Sequence, residues 1–214
     1  MTARFWKTAL PLLAALAAIG LIVWLVPPRR SPAPVAPPPV VQESGPRILY
    51  PADHTPSIAL PDGRREPVRS LLNVARPLYY GDYAWNEDGV GPSGPTWVRI
   101  DLARQTISVF RDGHEIGTAI VLYGTDGKPT PTGVFPILSK AERHRSTLYD
   151  ADMPFMLRLT GDGVAVHASD VQRGRATHGC IGIPPAFAKL LYAQVKRGDL
   201  VVIDAGSPPA KMVT

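Results

Sequence analysis

The chain of 214 residues contains one cysteine, Cys180. A lone thiol cannot form an intrachain disulfide framework. Histidine is scarce as well, at five residues. A zinc site built from His167, His178 and Cys180 would lack the fourth ligand and the paired spacing that structural zinc needs. Neither a metal nor a cofactor is therefore expected. Charge is missing altogether from Thr8–Val26, and no internal repeat runs through the chain. Basic residues exceed acidic ones by 23 to 18, with a pI near 9.5. However, Arg4, Lys7, Arg29 and Arg30 flank the uncharged run, and the remainder is close to balance. No basic face stands out that would follow a phosphate backbone, so nucleic acid is not an expected partner.

What is present divides the chain into distinct segments. As a helix rising ~1.5 Å per residue, Thr8–Val26 would reach roughly the hydrocarbon thickness of a bilayer. Residues 1–7 carry the basic charge of a cytoplasmic n-region. Residues 8–26 are thus expected to be a single-pass anchor in the inner membrane, with the rest of the chain in the periplasm. A cleaved signal peptide is the competing reading, because Ser31–Ala36 is rich in small residues. Its prolines and the long apolar stretch disfavour cleavage. Residues 27–46, crowded with proline, should run as an extended polyproline stalk. Residues 47–96 are expected to be an extension packing on the domain that follows, irregular as far as Glu66, with a short helix over Pro67–Asn73.

From Trp97 the pattern turns to strand. Trp97–Leu102 and Thr106–Phe110 alternate apolar and polar residues, and Asp112-Gly113 is a hairpin signal before Glu115–Tyr123. Val134–Leu138, Phe155–Leu159, Val164–His167 and Leu200–Ile203 read as further strands. Phe187, Leu190, Leu191 and Val195 have helical spacing after Pro185. This gives a mainly β domain over 97–204 with one main helix, then a tail over 205–214.

The chemistry concentrates between Val164 and Pro184. A nucleophilic cysteine needs a neighbouring base or cation and donors for an oxyanion. His178 lies two residues before Cys180, and His167 ends a predicted strand in the same stretch. Gly179 lets the backbone between them turn tightly. An imidazolium close to the thiol would lower its pKa, keeping thiolate present well below neutral pH.

Thr177-His178-Gly179-Cys180, preceded by His167 at a strand end, resembles the signature of the L,D-transpeptidase catalytic domain family. Thr130–Phe135, Met153–Met156, Arg158–Thr160 and Phe187–Leu190 support that resemblance. It implies a β-sandwich-like fold and a cysteine acyltransferase acting on peptidoglycan stem peptides. Cys180 would take the acyl group of a donor tetrapeptide, and an amine of a second stem would resolve the thioester into a 3→3 cross-link. Carbapenems acylate such enzymes. His167 matches the family's base or ion-pair partner, His178 and Gly179 match its oxyanion loop, and Thr177 is placed to bond a histidine. Two departures stand out: Gly182 occupies a position where Arg or Asn is usual, and Ala168, after the histidine, one where Gly or Ser is. Arg173 and Arg175, with Arg143 or Arg145, are the candidates to replace that side chain in substrate binding. An L,D-carboxypeptidase or hydrolase, with water resolving the thioester, is the alternative on the same fold. A degenerate wall-binding module is another.

Overall fold

The computed structural model describes residues 47–125, 127–146 and 150–206. The expected n-region, anchor and stalk, and most of the C-terminal tail, lie outside them. Among the described residues no helix is long and apolar enough to cross a membrane.

The described chain forms fourteen strands and one α-helix. Four short strands come first: β1 (Ile48–Leu49), β2 (Ser57–Ala59), β3 (Arg65–Pro67) and β4 (Ser70–Leu71). They replace the irregular run and helix expected there. Val68, Ser70 and Leu72 are buried while Arg69 is exposed, which is the period of a strand and not of a helix. β2 and β3 form a ribbon closed by a turn in which Gly63 donates to Leu60 O.

Next come β5 (Tyr83–Trp85), β6 (Thr96–Asp101), β7 (Thr106–Arg111) and β8 (His114–Ile120). The β7–β8 turn is the expected hairpin. Asp112 and Gly113 have φ of 49° and 77°, the two left-handed residues that such a turn requires. β9 (Gly133–Pro136), β10 (Ser139–Ala141), β11 (Met156–Arg158), β12 (Ala165–Ala168) and β13 (Ile181–Ile183) follow. Helix α1 (Pro185–Gln194) and β14 (Leu200–Asp204) complete the fold. Pro185 opens α1, where a missing N–H costs nothing.

The strands form two main sheets. The larger runs β1-β4-β8-β7-β6-β14-β9, with β5 also on β8; the smaller runs β10-β11-β12-β13. Alternation along the large sheet feeds two apolar layers. Val98, Ile100, Ile107, Val109, Val201 and Ile203 face a core shared with Leu157, Val166, Ile181 and Ile183 of the small sheet and Phe187 and Leu191 of α1. The opposite parity supplies Trp97, Phe110 and Val202, which are covered by Leu60 and Val68 of the N-terminal extension. Trp97 and Phe110 are cross-strand partners stacked with centroids 4.4 Å apart. Cover on both faces leaves β6 and β8 buried almost throughout, polar Thr96, Asp101, Glu115 and Thr118 included.

A backbone junction joins the two sheets near the site. Beyond the end of β8, Leu122 exchanges two backbone hydrogen bonds, of 2.8 and 2.9 Å, with Gly182 on the outer edge of β13. That junction carries the segment over Tyr123 and Gly124 to the residues preceding Cys180.

Candidate active site

The segment from Ser169 to Cys180 folds as a loop between two parallel strands. β12 and β13 pair in parallel, with Val166 opposite Ile181 and His167 opposite Gly182. Cys180 immediately precedes β13 and therefore lies beside the start of β12. Its side chain packs against Met153, Met156 and Ala165. Parallel pairing thus places Cys180 and His167, far apart along the loop, on one wall. Both line a cavity of about 620 Å³, together with Thr177, His178, His144, Lys128, Asp162 and Arg158.

Gly179 has a φ of 99°, a conformation that L side chains rarely adopt. The turn is held from outside by the segment after β8. Thr177 N donates to Tyr123 O at 3.1 Å. Gly124 lies flush on the turn, and a Cβ there would come within 2.6 Å of Gly179 N and 2.7 Å of Gly179 Cα. Buried Thr130 closes the contact: its Oγ1 accepts from Gly124 N at 2.9 Å and donates to Gly179 O at 3.0 Å. Thr177 Oγ1 donates to Cys180 O, not to a histidine as expected. Its hydroxyl braces the backbone of the cysteine.

The titrating groups have a definite polarity. His167 Nδ1 lies 2.8 Å from Ala168 O, and because a carbonyl only accepts, Nδ1 carries the proton. This leaves Nε2 as the basic nitrogen of the neutral ring. Burial pushes the His167 pKa below its ordinary 6.5; the Ala168 bond opposes this and the charge of His144 adds to it. Burial pushes the Cys180 thiol up, against a hydrogen bond from the Ala165 backbone and the positive charge of Lys128; Asp162 adds to the rise. The thiol donates to Gly163 O at 3.7 Å. Burial against a half-enclosed apolar wall thus works against both charges of the expected thiolate–imidazolium pair.

Other sequence candidates lie elsewhere. Arg173 and Arg175 are exposed and do not line the cavity; Arg175 faces Asp170 at 3.4 Å. Arg145 is paired with Asp150 and Asp152, at 2.8 Å each. His178 lines the cavity and is exposed. At Gly182 a Cβ would meet Ser169 Cβ at 2.8 Å, so Ser169 occupies the space a side chain there would need. No sequence motif marks Lys128, Asp162 or His144 as site residues, and Thr130 stands out only within the string Thr130–Phe135.

Cys180 and His167 thus share one wall of an open pocket. The sequence pattern of the L,D-transpeptidase catalytic domain, YkuD, matches residues 95–203, half of the chain, and the chain belongs to that family. It is similar to L,D-transpeptidase 2 of Mycobacterium tuberculosis, 25% identical over 114 residues, covering 45% of this chain and 28% of that protein. Among solved structures it is similar to an L,D-transpeptidase from Stackebrandtia nassauensis: 27% identity, TM-score 0.49, 55% of this chain and 58% of that one. It is likewise similar to one from Mycobacterium smegmatis: 25% identity, TM-score 0.49, 51% and 58%. The chain thus spans less than two thirds of each of these relatives.

Proposed function

We propose that this protein is a peptidoglycan L,D-transpeptidase in which Cys180 is the nucleophile and His167 the general base. The observation that carries this reading is the parallel β12–β13 pair, which brings a thiol and an imidazole whose Nδ1 donates to Ala168 O into one pocket. As sulfur attacks the carbonyl of the third residue of a donor stem, His167 Nε2 accepts the thiol proton. Backbone N–H groups around the Gly179 turn stabilise the oxyanion. Collapse breaks the peptide bond, and His167 returns the proton to the nitrogen of the departing D-alanine, leaving a thioester on Cys180. An amine from a second stem then attacks the thioester and loses a proton to His167. Sulfur leaves, regains that proton, and a 3→3 amide has formed.

The anchored, periplasmic placement proposed from Thr8–Val26 agrees with a polymeric substrate outside the inner membrane. Incubating the full chain in detergent with disaccharide-tetrapeptide and reading products by mass tests the reaction. A cross-linked dimer with loss of one D-alanine is expected. Release of D-alanine and tripeptide without dimer would show that water is the acceptor, and no product at all would overturn the enzymatic reading.

A further inference from the structure

Phe155, immediately before β11, has a φ of 54°. The left-handed region is uncommon for any L residue and an outlier for a bulky one. In a regular strand Met153 and Phe155 would share one face and Met156 would take the other. With the twist at Phe155, Met153 and Met156 pack together with Cys180, whereas the Phe155 ring packs against the main core. That ring lies 5.7 Å from the ring of Tyr192 in α1, tilted by 59°. The Lys140 ammonium sits 4.2 Å from the Tyr192 ring centroid and donates to Tyr192 O at 2.6 Å and to Val195 O. The Tyr192 ring is therefore fixed to the end of its own helix. The backbone beside Phe155 reaches the site. Phe155 N donates to Glu142 O, and Pro154 O accepts from Ala168 N, each at 2.9 Å. Ala168 O in turn holds His167 Nδ1 at 2.8 Å. Ala168 is thus gripped through its amide by the turn and grips the imidazole through its carbonyl.

We infer that Phe155 is a positioning residue for the reaction: its ring, clamped by Tyr192, holds the left-handed turn that aims Pro154 O at Ala168 and so orients the His167 imidazole on the wall it shares with Cys180. The inference rests on the transpeptidase reading. A backbone in a sparsely populated region stays there only where its surroundings over-determine it, and the Tyr192 contact is what surrounds this one. Phe155 touches no reacting atom; it acts through Ala168 and His167. Without the ring the turn relaxes, the carbonyl that fixes Nδ1 shifts, and Nε2 loses its aim at the thiol proton. Proton transfer is sensitive to that reach.

The test is a double-mutant cycle on the full chain in detergent, reading by intact mass the rate at which disaccharide-tetrapeptide acylates Cys180. F155A removes the ring and leaves a residue reluctant to hold the turn, whereas F155G removes the ring but tolerates the turn. F155A should slow acylation about 10- to 100-fold, and F155G clearly less. With His167→Ala already in place, F155A should cost no more than about twofold further, because the group it positions is gone. A loss of equal size in both backgrounds would overturn the inference and show that Phe155 serves the fold or the cavity wall. An F155A enzyme as fast as wild type, or an F155G enzyme slower than F155A, would overturn it too. If F155A does not fold, Y192L removes the clamp from the other side; it should show the same His167-dependent loss, and without that loss the inference fails. A wild type that forms no acyl-enzyme would bring down the transpeptidase reading and the Phe155 role with it.

Discussion

The Thr130 hydroxyl and the Gly179 carbonyl are 3.0 Å apart and buried, and the same hydroxyl accepts the Gly124 amide. One side chain therefore fastens the turn before Cys180 to the strand extension that supports it. Replacing Thr130 by valine keeps the shape and orphans a buried donor and a buried acceptor. The expected cost is about 2–4 kcal/mol in urea unfolding, with a drop in kcat/KM of about tenfold or more as the turn shifts. Thr130→Ser should keep both bonds and most of the activity. A valine variant as active as wild type would show that the turn holds its geometry unaided.

The resting polarity of the site predicts an unusual pH profile. Because burial raises the Cys180 pKa and lowers that of His167, iodoacetamide alkylation should rise with pH through a midpoint above ~8.5, the ordinary cysteine value, without a plateau below neutrality. Turnover should follow the neutral form of His167, holding well below pH 6.5, and His167→Ala should cut it about 10²- to 10⁴-fold. Stability has the matching sign. The unfolded imidazole binds its proton near 6.5 and the folded one only at lower pH, so this contribution is complete above 6.5 and lost as pH falls through the folded value. A thiolate plateau at pH 5–6 would show that the pair is charged at rest.

Glu115 gives a prediction remote from the pocket. Its carboxylate accepts from Leu72 N at 2.9 Å, and burial raises its pKa; bonds from Ser108 and Leu72 and the charge of Arg47 only partly offset this. A raised carboxyl contributes stability that is complete below its ordinary 4.5 and lost as pH rises through the folded value. Glu115→Gln keeps an acceptor oxygen without the charge. It should raise the melting temperature by about 2–4 °C at pH 8 and have little effect at pH 4. A lower melting temperature at pH 8 would mean that attraction to Arg47 outweighs burial.

The parts of the site that were legible in the sequence are those close together in the chain. Thr177, His178, Gly179 and Cys180 are consecutive, and His167 follows the short apolar run Val164–Val166, which reads as a strand. Lys128, Thr130 and His144 are brought in by turns and by the Leu122–Gly182 junction, which no local pattern announces. Most β strands from Trp97 onward were legible as runs of several residues, whereas β10 and β13, three residues each, were not. β1 to β4 are two or three residues each, interrupted by prolines, and their pairing depends on the edge they meet. The pull of burial on the thiol and the imidazole was not legible, because burial is a property of the packed wall and not of the motif. The expectation for Arg173 and Arg175 failed similarly. Nearness in sequence to Cys180 placed them on the outside of the loop.

The most direct measurement is the intact mass of the full chain after brief mixing with disaccharide-tetrapeptide, followed by peptide mapping. One adduct of donor minus D-alanine should form, located on Cys180, and Cys180→Ala should show neither adduct nor more than a few percent of the D-alanine release. An adduct on another residue, or continued turnover by the alanine variant, would contradict the assignment of Cys180 as nucleophile.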